Sequence, residues 1–189
     1  MKNKNPNYPL DRHMLSEGEQ PTLEQVLLDR EGRVTYQTQL RAQYSNQTLI
    51  VLKVNMPGPV KSNAFVSHLL LIGKTLLLDS IEAQGLNIMV IKEVKTLASQ
   101  NVFVVVNTDD AYAVKRLTAA IEDSSDIGRL FDFDVYINDE TISRQSLNYP
   151  ARKCYICDKD AKECGRQRTH TVEELLDAMY EIVSKEGRQ

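Results

Sequence analysis

The 189-residue chain is poor in several features that would mark a specialised class. Cysteine is scarce: Cys154, Cys157 and Cys164 are the only three, and they fall within one short stretch. An odd, clustered set is no disulfide framework, and it points to a reducing cytoplasm. Neither sign of charge is in large excess. A formal net charge of -3 excludes a protein whose whole surface is drawn to nucleic acid or anionic lipid, though not a local basic site. Long apolar runs are missing as well. Leu69-Leu70-Leu71-Ile72 stops at Gly73 and Lys74, far short of the roughly 18 residues that a membrane helix needs. The first fifteen residues hold no apolar centre of a signal peptide. There is no internal repeat and no low-complexity tract.

What is present suits one globular domain: 42% of residues are apolar, enough for a core without cross-links. The polar residues 1–21 read as a flexible tail and residues 22–189 as a single domain, within which residues 150–189 form a small Cys/His-rich lobe. Apolar spacing predicts a helix over 22–45, bent or divided at Gly32. Strands are expected at 48–54, 87–95, 101–107 and 129–137. Ser99-Gln100 suits the turn between the second and third, and Thr141 to Ser143 is placed to pair back on the last. A helix from Ser62 or Asn63 to Gln84, and another capped by Thr108 or Asp109, lie between strands. Residues 149–170 read as irregular, and Thr171 with Glu174 forms a capping box for a final amphipathic helix. The fold class is therefore α+β. Its core is β-α-β-β-α-β, the order of the ferredoxin-like split βαβ arrangement with helices on one face, carrying an N-terminal helix and a C-terminal Cys/His loop plus helix.

Four groups of residues could carry chemistry. In Gly128-Arg129-Leu130-Phe131-Asp132-Phe133-Asp134-Val135, strand alternation puts Phe131, Phe133 and Val135 on a buried face and Leu130, Asp132 and Asp134 on the other. Two carboxylates about 6.6 Å apart along a strand can lean toward one divalent cation of the magnesium type, as phosphoryl-transfer sites require. Asp132 and Asp134 alone are also what any half-buried strand with a wet face would show. Arg129 adds a cation able to grip phosphate in two places. Pro57-Gly58-Pro59-Val60-Lys61-Ser62 is a stiff loop feeding a helix N-terminus, where Lys61 could meet an anion, although Gly58 stands alone and the loop is no Walker motif. Cys154, Cys157, Cys164 and His170 have the ligand types of a structural zinc site; reduced structural thiols remain the alternative. Arg30 and Arg33, with Gln37, share a helix face that could read phosphates or simply be solvated.

Together these segments resemble one family, the citrate lyase holo-acyl-carrier-protein synthases, also called apo-citrate lyase phosphoribosyl-dephospho-CoA transferases. The resemblance rests on Arg30, Arg33 and Gln37, on Pro57-Gly58-Pro59-Val60-Lys61, and on the block from Gly128 to Val135. It continues through Arg152-Lys153-Cys154-x-x-Cys157, Ala161, Cys164-x-Arg166 and His170, and so spans the chain from Leu23 to the final helix. It implies an enzyme that takes 2′-(5″-triphosphoribosyl)-3′-dephospho-CoA and joins its phosphoribosyl-dephospho-CoA part to a serine of the citrate lyase acyl carrier (gamma) subunit, releasing pyrophosphate. No nucleic acid or membrane partner is expected. On that chemistry Asp132 and Asp134 would hold magnesium, or one would act as base. Arg129 and Lys61 would neutralise the triphosphate, with Arg30 and Arg33 on its phosphates. Arg152, Lys153, Arg166 and Arg168 would hold outer phosphates or an acidic carrier surface. The competing functions are a non-catalytic zinc-knuckle adaptor and the analogous transferase of malonate decarboxylase.

Charge is distributed to match. Residues 121–140 hold seven acids against Arg129 alone, while residues 144–170 hold seven bases against three acids. The first block could hold cations, and the second could meet phosphates.

Overall fold

β-Branched runs dominate the strands, and these build a single antiparallel sheet. The computed structural model describes residues 11–157 and 159–186. In chain order the elements are α1 (Leu23–Gln43), β1 (Thr48–Val54), α2 (Ala64–Ala83), β2 (Ile88–Lys95), β3 (Gln100–Val106), α3 (Ala111–Asp123), β4 (Phe131–Ile137), β5 (Glu140–Ile142), α4 (Ala161–Gln167) and α5 (Val172–Glu186). The sheet order is β2-β3-β1-β4-β5, with every pairing antiparallel. The first four strands and the helices between them therefore have the split βαβ arrangement expected from the element order.

Central strands need cover on both faces, and their sequences show it: β3 is buried at every residue. On one face Ile50, Leu52, Val104, Phe131, Phe133 and Val135 pack with Phe65, Leu69, Leu77 and Ile81 of α2, Val114 of α3, and Leu176 and Met179 of α5. On the other, Leu49, Val51, Phe103 and Val105 lie with Leu40 of α1, and Tyr36 meets Phe103 edge to face at 5.0 Å. The expectation of helices on one face alone is thus incomplete, because α1 takes the second. It runs unbroken through Gly32, capped by Thr22 and Gln25. Near its start Asp29 accepts from Thr96 Oγ1 (2.6 Å) and Ser99 Oγ (2.8 Å); near its end Arg41 donates to the Asn138 carbonyl (3.1 Å). Leu23, Leu27 and Leu28 are exposed, so only the C-terminal half of α1 covers the sheet.

Several local expectations change. Leu130 does not share the face of Asp132 and Asp134: Gly128–Leu130 is a 3₁₀ turn, which swings Leu130 into the core at 0% exposure. The β2–β3 turn is Thr96–Ser99 rather than Ser99-Gln100, because the Thr96 hydroxyl accepts from the backbone of Ala98 and Ser99. Gln100 instead starts β3, buried, donating to Ser62 Oγ and the Asn63 carbonyl. Asp110, not Thr108 or Asp109, caps α3. The segment 149–170 contains a short helix, α4, capped by Asp160. Residues 11–21 lie against the domain, with Leu15 buried and Arg12 paired to Glu173 and Asp177 at 2.6 Å. Residues 1–10 of the expected tail lie outside the described residues. Among the described residues α2 is the one helix long and apolar enough to cross a membrane, but its inward side chains are core residues of the sheet.

The two central glycines differ in what surrounds them. A Cβ on Gly128 would sit 2.3 Å from the Ile121 carbonyl oxygen, whereas one on Gly32 would meet nothing within 4 Å. Gly128→Ala is expected to lower stability by about 3 kcal/mol, and Gly32→Ala to raise it by about 0.5–1 kcal/mol. Urea unfolding midpoints check both; equal effects would refute the packing assigned here.

Candidate active site

Strand pairing creates a cluster that no single motif contains. In the β1–β4 register Lys53 stands opposite Asp132 and Val51 opposite Asp134. All three charged residues point to the α1 side, at the end which that helix leaves uncovered. Lys53 Nζ lies 3.1 Å from Asp132 Oδ2 and 2.6 Å from Asp134 Oδ2. Burial works against the Lys53 charge, but the two carboxylates outweigh it and hold its pKa above the ordinary value. Burial would likewise raise Asp132; Lys53 and Arg152 overcome that and keep its pKa below the usual carboxylate range.

Arg152 reaches Asp132 from the other side. β5 pairs only with Val135–Ile137, so the outer backbone edge of Phe131 and Phe133 has no strand beside it. Side chains take that place. Glu122 Oε1 accepts from the Phe133 N–H (3.0 Å), Lys115 donates to the Phe133 carbonyl (2.6 Å) and Arg152 donates to the Phe131 carbonyl (2.8 Å). Arg152 also pairs with Asp132 Oδ1 and lies 3.5 Å from the fully buried Glu122, whose second oxygen is 3.0 Å from Arg144. Burial pushes the Lys115 pKa down, against the pull of Glu122.

Beside this cluster opens a cleft of about 220 Å³ between α1, the end of β1, the 55–61 loop and the start of β3. Arg33, Lys53 and Lys61 all line it. Lys61 donates to the Met56 carbonyl at 2.6 Å, and burial lowers its pKa. Asn101, on the same wall, is 2% exposed and donates through Nδ2 to Ser99 Oγ, while its Oδ1 has no donor among the described residues. A second cavity, of about 150 Å³ and lined by Ser67, Lys74 and Lys95, shares Gln100 and Asn101 with the first.

The Cys/His segment also closes on itself. One ligand atom each from Cys154, Cys157, Cys164 and His170 lies within 4.8 Å of the others, so the group could hold a metal ion. This lobe abuts β4 through Arg129, whose Nη2 donates to the Cys154 carbonyl at 2.5 Å.

The residues singled out from sequence therefore separate. Arg33 and Lys61 come together at the cleft, and Asp132, Asp134 and Arg152 form the adjoining ion cluster. Arg129 instead bonds to the cysteine lobe and lies 3.8 Å from Asp126. Arg30 is exposed on α1 and does not line the cleft. Arg166, on α4, and Lys153 and Arg168 are exposed on the lobe, paired with no carboxylate among the described residues. The acidic block is less free than its composition suggested, since Glu122 and Asp123 pair with Arg144 and Asp132 with Arg152. Lys53, Glu122 and Asn101 were not recognised from sequence. A lone lysine in the apolar strand Thr48–Val54 was the available signal for Lys53, but its importance depends on which strand lies beside it.

An open, cation-lined cleft abutting a strand-borne carboxylate pair is an arrangement able to take up an anion such as a phosphate group by electrostatic attraction. The chain belongs to the apo-citrate lyase phosphoribosyl-dephospho-CoA transferase family, whose model matches residues 21–186, and it is accordingly a transferase. A probable apo-citrate lyase phosphoribosyl-dephospho-CoA transferase of Vibrio cholerae serotype O1 (strain M66-2) is 33% identical over 162 residues, covering 85% of this chain and 90% of that protein. One of Streptococcus pyogenes serotype M18 is 30% identical over 171 residues, covering 88% and 87%. "Protein CitXG" of Leuconostoc mesenteroides subsp. cremoris is 32% identical over 162 residues; the match takes 83% of this chain but only 34% of that longer protein.

The ion cluster predicts a pH signature. Because the folded pKa of Asp132 lies below its unfolded value, its stabilisation is complete above about pH 4 and is lost as pH falls through the lower, folded value. Lys53→Met removes one of the two cations that outweigh burial and brings the folded value back toward the unfolded one, so less stability should be lost between neutral and acidic pH in the variant. Urea midpoints between neutral and strongly acidic pH test it; parallel acid profiles would reject the coupling.

Proposed function

We propose that the protein transfers the phosphoribosyl-dephospho-CoA part of 2′-(5″-triphosphoribosyl)-3′-dephospho-CoA to a serine of the citrate lyase acyl carrier subunit, releasing pyrophosphate, and that it does so in the cytoplasm. The observation that carries this reading is the convergence of Arg33, Lys53 and Lys61 on one cleft beside Asp132 and Asp134. A triphosphate needs several positive charges held in place, since negative charge builds on the departing pyrophosphate.

In this mechanism the serine Oγ forms a bond to the α-phosphorus and the bond from that phosphorus to pyrophosphate breaks. The serine proton passes to a carboxylate of the Asp132–Asp134 pair. Arg33 and Lys61 neutralise the outgoing phosphates, and Lys53, paired with both carboxylates, holds them in place. Both Asp132 oxygens are already engaged, by Lys53 and Arg152, whereas Asp134 Oδ1 has no partner among the described residues. Asp134 Oδ1 is therefore the oxygen that would hold a magnesium ion bound with the triphosphate, which would supply charge neutralisation there. The exposed cations Lys153, Arg166 and Arg168 suit outer phosphates or an acidic carrier surface. Arg129, bonded to the cysteine lobe, acts at one remove, by positioning. For the Cys/His group the thiolate-rich donor set favours zinc.

The test is a mass measurement on apo carrier subunit after incubation with the triphosphoribosyl precursor and magnesium. Wild type should add the prosthetic group to one serine. Asp134→Asn should slow this by about 10²–10⁴-fold if Asp134 is the base, and Lys61→Met should raise KM for the precursor. A folded preparation that leaves the citrate lyase carrier unmodified sinks the assignment, and modification of a malonate decarboxylase carrier instead would name the other substrate.

A further inference from the structure

We infer that Cys154, Cys157, Cys164 and His170 form a closed, four-coordinate zinc site, and that this site is the structural pin that holds Arg152 and Arg129 against β4. Both halves are structural and stand apart from the reaction proposed above.

The lobe lacks a core of its own. Among the described residues from 151 to 170, only Cys154 and Cys164 are buried, and both are members of the proposed ligand set. A segment of this length that buries almost nothing apolar requires a staple to hold one conformation. The backbone is nevertheless shaped as a metal knuckle. Lys153 and Asp160 form an antiparallel bridge, the Cys154 N–H donates to the Lys159 carbonyl (2.9 Å) and the Ala161 N–H to the Arg152 carbonyl (2.8 Å). At the tip the Ile156 N–H points to Cys154 Sγ at 3.5 Å, the type of bond that steadies a ligating thiolate. The other two ligands come from α4 and from the residue before the capping box of α5. His170 Nε2 lies 3.2 Å from Cys157 Sγ.

Size and donor type select the metal. Zn–S bonds of about 2.3 Å and Zn–N bonds of about 2.0–2.1 Å in a tetrahedron set ligand atoms roughly 3.5–3.8 Å apart. The four atoms here, all within 4.8 Å of one another and with one pair at 3.2 Å, need only small adjustments to close on such an ion. Three thiolates and one imidazole fill all four positions, which leaves none for substrate and makes the site structural. Soft sulfur donors argue against magnesium or calcium.

The consequence for the site runs through two residues. Arg152 is the first residue of the knuckle ladder, and its guanidinium joins the Phe131 carbonyl, Asp132 and Glu122. Arg129 is tied to the carbonyl of ligand Cys154 itself. Both are positioning residues for β4, and both lose their anchor when the knuckle opens.

The experiment is elemental analysis of the full-length protein purified under reductant, followed by hydrogen exchange before and after removal of metal. About one zinc per chain is expected in wild type, lost in Cys164→Ser and in His170→Ala. On metal removal, amides of residues 152–161 and of the outer edge of β4, Phe133 included, should exchange faster, while those of the β2–β3 pair should not. Wild type without stoichiometric zinc, and with three freely titrating thiols, overturns the inference. So does zinc whose removal leaves the exchange of β4 unchanged, because the pin would then hold nothing. Global unfolding on metal removal would also overturn it, since β2–β3 exchange would rise with the rest. Neither readout requires turnover: zinc with the expected exchange pattern but no carrier modification would sink the proposed reaction and leave this inference standing.

Discussion

The outer edge of β4 is the constraint on which the site depends. β5 is three residues long and ends its pairing at Val135, which leaves the backbone of Phe131 and Phe133 facing the interior with no strand beside it. Buried N–H and carbonyl groups must find partners. They find them in Lys115, Glu122 and Arg152, and each of these then requires a counter-charge. Glu122 draws in Arg144, and Arg152 is left with one flank on Asp132. Lys53, across the β1–β4 ladder, completes the sequence of alternating charges. Such a network contributes less to net stability than to a single defined geometry, since desolvation offsets much of its attraction.

The second dependence is the incomplete cover of the sheet. One face is filled by α2, α3 and α5. The other is apolar where Leu40 and Tyr36 of α1 lie over Leu49, Val51 and Phe103, and polar where Lys53, Asp132 and Asp134 emerge. A helix can bury only the apolar part at a profit in free energy. The polar part therefore stays open, and Arg33, the Lys61 loop and the start of β3 wall it into a cleft. The packed face and the open cleft come from the same division of one surface.

Much of this was legible in the residues. Alternation in Phe131-Asp132-Phe133-Asp134-Val135 assigned the faces of β4, and the three apolar side chains are fully buried. The Thr171–Glu174 capping box and the Asn63 cap are present as read. The Cys/His spacing described a real cluster. Errors fell where side chains outvote local pattern. Leu130 continues the strand's alternation in sequence but belongs to a 3₁₀ turn packed under α3. Thr96 rather than Ser99 organises the β2–β3 turn, because its hydroxyl is free to accept two backbone N–H groups.

By itself, the sequence determined periodicity and chemistry: which residues alternate, which cap, which cysteines neighbour a histidine, and which family the blocks resemble. These are local properties, set by the pitch of strands and helices and by side-chain type. Tertiary structure alone decided partnership. Lys53 lies between Asp132 and Asp134 only because β1 pairs with β4 in one register, and a one-residue slip would send Lys53 to the opposite face. Arg129 bonds to the cysteine lobe, and Arg30 stayed in solvent while Arg33 entered the cleft. Charge interactions fall steeply with distance and with water between the partners. What a charged residue does is therefore set by the few ångströms around it, which the fold supplies and the chain order does not.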